Sequence, residues 1–379
     1  INAFSPYTMY GIGEQNTPGT LQMRSMGGAG VAMRSVSTVN LLNPAAYSAA
    51  PQKTFLFNFG LEGQNYYNAQ TVGGVGKRTA YNTFNFHDIA FQMPVAKRLG
   101  LGFSLTPYSS VGYRTKYYHE YDPEDPIYAN VGNIQYNYQG EGDVTEVKLG
   151  IGWEVVKRVS IGVAAEYYWG DIERTYQTVV SNNIVNGGSV NTVTGTASYG
   201  ISRIKMQLGL QADLIQSERQ VLTLGATYDM GGNLRPSVNQ TVVNGDIYGT
   251  VVRGDTTRMA LKLPVQLGVG LYYQNAKIAA GVDYIYQNWE NNESPKSVPG
   301  AVNVAYKNTN TVKLGFEYTP NRMDIRNYLK RWSYRVGFRY GTYYQTFEGK
   351  TLSQYAVTAG FGMPVRFLGR SSIDFGVEF

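Results

Sequence analysis

The stretch Glu146-Val147-Lys148-Leu149-Gly150-Ile151-Gly152-Trp153-Glu154-Val155 decides the fold. Its odd positions are all apolar. Its even positions are charged residues or glycine. Successive side chains of a β-strand point to opposite faces, so this segment has one apolar face and one polar face. On a helix the same apolar set would be scattered around the circumference.

The pattern recurs along the chain. Ile204, Met206, Leu208, Leu210, Ala212 and Leu214 alternate with Arg203, Lys205, Gln207, Gly209, Gln211 and Asp213. From Met259 to Tyr273 the odd positions are apolar or aromatic. Val312, Leu314, Phe316 and Tyr318 alternate with Lys313, Gly315 and Glu317, and Tyr334, Val336, Phe338 and Tyr340 with Arg335, Gly337, Arg339 and Gly341. A soluble sandwich also alternates, with its apolar faces packed on each other. Here the apolar stripes end in aromatics: Tyr167 and Trp169; Tyr272 and Tyr273; Tyr284, Tyr286 and Trp289. Aromatic rings suit the two bilayer interfaces, being apolar in the body and polar at the edge. The reading is all-β: a transmembrane antiparallel β-barrel in a Gram-negative-type outer membrane.

Composition agrees. Mean hydropathy is −0.28, and no run approaches the ~20 apolar residues of a membrane helix. Alternating strands average to such mild values. Cysteine is absent from the 379 residues, which removes disulfides, thiolate metal sites and Cys nucleophiles. The net charge of +6 is spread over short turns and alternate strand positions, so no nucleic-acid partner is expected. The chain opens at Ile1 without a visible secretory signal and reads as processed or trimmed.

Short basic or polar turns at 96–98, 156–158, 215–219, 274–277, 320–332 and 364–370 alternate with longer polar segments at 68–79, 117–134, 181–192, 232–252 and 291–306. Short turns are the periplasmic side of such barrels. Thirteen strands result, beginning 54–67 and ending 371–379. An even number is the rule. Either a strand hides in 237–251 or the chain continues past Phe379, and the second is preferred. A barrel of about fourteen strands is too wide for side chains to fill, since about eight is the filled size. Residues 1–50 lack alternation and are rich in small residues, so they are expected to plug a barrel formed by 51–379. Within 320–332, Ile325, Tyr328, Leu329 and Trp332 recur at helical spacing beside Arg322, Arg326, Lys330 and Arg331. This predicts a short amphipathic helix, lying at the periplasmic interface or packed under the barrel.

The run Ser25-Met26-Gly27-Gly28-Ala29-Gly30-Val31-Ala32-Met33, followed by Asn43-Pro44-Ala45, resembles the N-terminal hatch of the FadL family. That family comprises outer-membrane transporters of long-chain fatty acids and other hydrophobic compounds. The opening Tyr7–Gly13 and Arg24–Gly28 segments resemble its branch in Bacteroidota. The resemblance covers about a tenth of the chain. It implies a fourteen-stranded barrel, a hatch carrying Gly27, Gly28, Gly30, Asn43, Pro44 and Ala45, and a kinked third strand that opens a lateral exit. Pro107 interrupts that strand's alternation, with Ser109, Ser110 and Gly112 following, and Pro264 is a second candidate distortion.

The inferred lumen face departs from a lipid channel. It carries Glu146, Lys148, Glu154, Glu166, Arg203, Lys205, Asp213, Lys262, Asp283, Lys313, Glu317, Arg335 and Arg339. Buried charges pair with one another or with a plug. Some members of the broad family serve in larger outer-membrane machines, type IX secretion included. Catalytic chemistry is weakly supported. His87 adjoins Asp88 where strand 80–95 changes phase, which suggests a bulge, and adjacency alone gives no triad geometry. Asp122, Glu124 and Asp125 form a candidate Ca²⁺ loop that reads better as solvated. Gly27–Gly30 is not a phosphate loop.

The expectation is therefore passage of fatty-acid-like hydrophobic small molecules. The alternative is a non-transporting structural or accessory subunit of an outer-membrane protein-assembly or secretion complex. The expected partners are outer-membrane lipid, a hydrophobic ligand, and other outer-membrane proteins. No catalytic residue, cofactor or metal is expected.

Overall fold

A computed structural model describes residues 3–72, 74–122, 124, 132–182, 189–244, 250–253, 261–290, 304–365 and 371–379. In chain order the strands are β1 (Glu14–Gln15), β2 (Leu56–Val72), β3 (Val75–Ala96), β4 (Leu99–His119), β5 (Asn133–Val156), β6 (Val159–Asn182), β7 (Ser189–Gln216), β8 (Gln220–Asp229), β9 (Gly232–Asn233) and β10 (Ser237–Asn244). They continue as β11 (Thr250–Arg253), β12 (Lys262–Leu263), β13 (Val265–Asn275), β14 (Ile278–Asn288), β15 (Val304–Tyr306), β16 (Thr309–Tyr318), β17 (Ser333–Phe347), β18 (Lys350–Val365) and β19 (Ser371–Glu378).

Almost all of them belong to one antiparallel sheet, with consecutive strands as neighbours. This is the β-barrel fold of outer-membrane proteins. Three rows of the wall are interrupted, β8 with β10, β11 with β13, and β15 with β16. β8 pairs with one half of β7 (Asp229↔Gln207) and β10 with the other (Ser237↔Gly200). They are two pieces of a single row, so the described residues of 237–251 add none. At that break β9 and β12 form a separate two-stranded sheet. Pro264 lies between β12 and β13, where the chain rejoins the wall, as its missing ladder donor suggests. β2 pairs with β3 and β19 with β18, but no ladder joins β2 to β19 among the described residues, so the barrel is not closed.

The alternation holds. Leu149, Ile151 and Trp153 are exposed, while Gly150, Gly152 and Lys148 are buried. The same holds for Met206, Leu208 and Leu210 against Gln207 and Gly209, and for Val336 and Phe338 against Arg335. The apolar face thus turns outward and the Gly/charged face inward, the reverse of a soluble core.

Four local expectations need correction. Leu261 and Leu263 are buried, because the wall strand starts only at Val265, and Met259 lies outside the described residues. Tyr272 and Trp289 are also buried rather than in an outer aromatic belt. Tyr272 falls on the inward parity, and Trp289 follows the end of β14 and stacks on Tyr344 at 4.3 Å. Segment 68–79 is mostly strand, since β2 and β3 pair as far as Val72↔Val75. Within 320–332 there is no amphipathic helix, only a 3-10 turn at Tyr328–Arg331.

Candidate functional site

The inward glycines form a belt, and residues 25–50 lie against it. A Cβ on Gly100 would stand 1.8 Å from the Tyr47 carbonyl oxygen, on Gly162 2.3 Å from the Ala45 nitrogen, and on Gly225 2.5 Å from the Val31 oxygen. Further round the wall, a Cβ on Gly315 would meet the Met26 oxygen at 2.4 Å and one on Gly337 the Gly27 nitrogen at 2.0 Å. Backbone packs on backbone here because no side chain intervenes. The alternating glycines of the wall are therefore the seat of the N-terminal segment, whose small residues present the complementary surface.

Polar contacts fix the register. Asn43 caps the 3-10 turn Pro44–Ala49, its Oδ1 accepting from the Ala45 amide at 3.0 Å, with Pro44 at the first position. Its Nδ2 donates to the Val31 carbonyl at 2.8 Å and to Leu210 on β7 at 3.1 Å. Ala45 is fully buried. Gly27 and Gly28 have φ of 69° and 81°, a conformation that glycine adopts without strain. The Gly27 amide donates to Thr358 Oγ1 at 2.9 Å. Gly30 and Val31 donate their amides to Asp283 Oδ2 on β14, at 2.6 and 2.9 Å.

Most of the lumen charges find partners, as buried charges tend to. Lys148 Nζ lies 2.9 Å from Glu166 Oε1 and 3.5 Å from Glu146 Oε1, and donates to the Leu41 carbonyl of the N-terminal segment. Arg335 Nε stands 2.6 Å from Glu317 and also engages Asp374. Arg339 pairs with Glu378, Arg34 of the segment with Glu154 at 3.4 Å, and Asp213 accepts from Thr223 at 2.8 Å. Arg203 and Lys205 donate to the carbonyls of Leu234 and Asn233 at the break in the wall.

The third wall strand, β4, diverges at Pro107. Its ladder to β3 ends at Ile89↔Leu105, and its register against β5 shifts between Pro107 and Ser109. The freed edge of β4 does not stay open. β1 pairs there, Glu14 opposite Ser110 and Gln15 opposite Ser109. The Ser5 amide donates to the Gly112 carbonyl and the Asn16 amide to Tyr108, both at 2.9 Å. Thr8 Oγ1 accepts from the Gly112 amide at 3.1 Å. Gly13 has φ 86°, and a Cβ there would stand 2.3 Å from the Ser110 oxygen. The chain's own N-terminus thus takes the place a neighbouring wall strand would hold. Nothing in residues 1–20 alternates, so sequence periodicity could not reveal this pairing.

A cavity of about 210 Å³ remains inside, lined by Glu14, Tyr108, Glu146, Lys148, Glu166, Tyr168, Asp229, Lys313, Arg339 and Tyr343 among others. A recess of about 20 Å³ lies in the divergence, lined by Asn16, Glu62, Gln64, Phe86, Pro107 and Ser110. Asn16 and Pro107 border both.

His87 is the extra residue of a bulge, because Gly60 faces Asp88 and Leu61 faces Phe86. Its Nδ1 lies 2.7 Å from Asp88 Oδ1. In the candidate Ca²⁺ loop, Asp122 Oδ1 accepts from the Glu124 amide, and Asp125 lies outside the described residues. Among the described residues no group of three or more His, Cys, Asp or Glu could hold a metal.

A family model described as BamG matches residues 2–379. The chain belongs to the BamG family. Among solved structures it is similar to the toluene transporter TodX of Pseudomonas putida, at 16% identity and TM-score 0.60, covering 96% of this chain and 92% of that one. A deltaS2 mutant of the TodX monoaromatic hydrocarbon channel matches at 15% identity and TM-score 0.59, covering 99% and 93%. At such identities the likeness to this FadL-family transporter shows a FadL-like fold. No curated protein matches.

Proposed function

We propose that this BamG-family chain is a non-transporting accessory subunit of an outer-membrane complex for protein assembly or secretion. One observation carries the reading. The N-terminal segment is seated on the glycine belt around the wall and, through β1, also occupies the divergence beside Pro107. Residues 1–50 then act as a hatch that closes both exits from the lumen. The remaining cavity supports the same view. Sites for apolar ligands are lined mainly by apolar and aromatic groups. This one is lined by at least three carboxylates, Glu146, Glu166 and Asp229, with Lys148 among them. In this reading the outer face meets outer-membrane lipid, and the strands that extend past the bilayer, such as β7 from Ser189 to Gln216, meet partner proteins.

A disulfide lock tests it. The chain has no cysteine, so Gln15→Cys with Ser109→Cys is a unique pair at facing positions. The locked protein is expected to keep its stoichiometric outer-membrane partners on co-purification and to complement a deletion strain as well as its reduced form. Loss of complementation on locking, restored by reductant, would sink the proposal.

A second reading is the passage of hydrophobic, fatty-acid-like molecules. The divergence at Pro107 and the FadL-like fold favour it. The ligand would enter from outside, displace the hatch and leave between β3 and β4. Expression in a host lacking fatty-acid uptake decides it: this reading requires uptake in the reduced form and none in the locked form.

A further inference from the structure

The insert between β16 and β17 carries features that neither reading uses. It is well ordered by its own hydrogen bonds. Asp324 Oδ1 accepts from the amides of Arg326 and Asn327 at 2.9 and 2.7 Å, and the Asn321 amide donates to the Lys330 carbonyl at 2.7 Å. These amides hold the Asp324 carboxyl below the usual carboxylate range. Yet this ordered turn leaves Ile325 98% exposed and Met323 86% exposed, with Leu329 about half exposed. A structured insert that displays its apolar tips has not buried them in its own barrel.

Its place in the wall says what covers them. Trp332 stacks on Phe361 at 5.0 Å, and Phe361 lies 5.5 Å from Phe375. Tyr334, Phe361 and Phe375 form one cross-strand row on the outward face. Tyr328 donates its hydroxyl to the Pro364 carbonyl at 2.7 Å. The insert is therefore continuous with the outer aromatic band at the short-turn end of the barrel. Arg322, Arg326, Lys330 and Arg331 surround the apolar tips, with Asp324 the sole carboxylate in 320–332. Arg322 and Lys330 are more than half exposed and hold only long contacts, 3.6 Å to Glu317 and 3.9 Å to Asp324.

The geometry points to a lipid anchor. Residues 320–332 dock on the periplasmic leaflet, with Met323 and Ile325 among the acyl chains and Arg322, Arg326 and Lys330 on the phosphates of anionic phospholipid. Basic residues beside apolar tips bind anionic interfaces through both terms. The inference rests on the barrel's membrane orientation and not on what the barrel does.

Ile325→Cys offers a single labelling site in a cysteine-free chain. A bimane label there is read in nanodiscs of dioleoyl-phosphatidylglycerol and of dioleoyl-phosphatidylcholine. Emission is expected to be blue-shifted in phosphatidylglycerol relative to phosphatidylcholine. The difference should vanish with Arg322→Gln, Arg326→Gln and Lys330→Gln combined, while heat-modifiable mobility shows the barrel intact. Inorganic phosphate should not reproduce the shift. Equal emission in the two lipids overturns the anchor, and so does a difference that survives the triple substitution. Crosslinking of the same cysteine to a protein in native membranes, with no lipid dependence, assigns the surface to a protein partner instead.

Discussion

Glu62 and Glu378, on the two outer strands of the unclosed sheet, share a single guanidinium. Arg24 Nη1 lies 2.8 Å from Glu62 Oε2, and its Nη2 lies 3.3 Å from Glu378 Oε2. Glu62 is on β2 and Glu378 on β19, strands joined by no ladder among the described residues. The N-terminal segment thus spans the seam that the strands leave open, and couples its own seating to the geometry of the wall.

Arg24→Gln is therefore expected to cost about 1–3 kcal/mol, since hydrogen bonds to partly buried charged groups are lost and Glu62 is left without its cation, whereas Glu378 keeps Arg339. The readout is the midpoint of heat-modifiable mobility in detergent. Adding Glu62→Gln should recover part of the loss, because the unpaired charge goes with it. Additive losses in the double variant would show that Arg24 acts by packing alone.

The glycine belt predicts an inverted outcome for strand propensity. Valine favours strands over glycine. Gly162→Val should nonetheless disrupt, because its Cβ would lie 2.3 Å from the Ala45 nitrogen. Overpacking of this kind costs about 1–3 kcal/mol. Trypsin cleavage at Arg24 and Arg34 should accelerate several-fold as the segment loosens. Ile161→Ala, one residue away on the outward face and 45% exposed, should leave cleavage unchanged.

Asp283→Ala removes the acceptor of two amides, at Gly30 and Val31. Two buried donors are then unpaired, at a cost of about 2–3 kcal/mol. Asp283→Asn retains one acceptor oxygen and should lose less. Hydrogen exchange at the Gly30 and Val31 amides reads this directly, with the alanine variant fastest.

These contacts also show where the sequence was legible. Strand identity and facing could be read because period-two alternation is a local property: Leu149 and Gly150 announce their faces without knowing their neighbours. The bulge at His87 and the breaks at Pro107 and Pro264 were readable for the same reason, as local interruptions of a period. Trp289 and Tyr272 were misread because an aromatic at a strand end looks alike whether it meets a bilayer or a lumen stack. The charges on the inward face were placed correctly and pair with one another or with the N-terminal segment as expected, but which partner each takes could not be read. Asp283 answers amides 253 and 252 residues away, a relation that no spacing encodes. The pairing of Glu14–Gln15 with Ser109–Ser110 was invisible, since two residues cannot show a period.

The same short pairing makes seating depend on pH. Burial holds the Glu14 carboxyl above the ordinary carboxylate range. When the segment is displaced, the group returns to the ordinary carboxylate range. The seated form therefore binds the proton more tightly. Its advantage is fully present below the displaced-state value and is lost as pH rises through the raised one. A nitroxide at Thr17→Cys reports displacement as a mobile spectral component. That component should grow as pH rises through the raised value, and Glu14→Gln, which removes the charge and keeps the strand, should hold it low and flat. An identical rise in Glu14→Gln would assign the effect to another group, and seating would then be independent of the Glu14 charge.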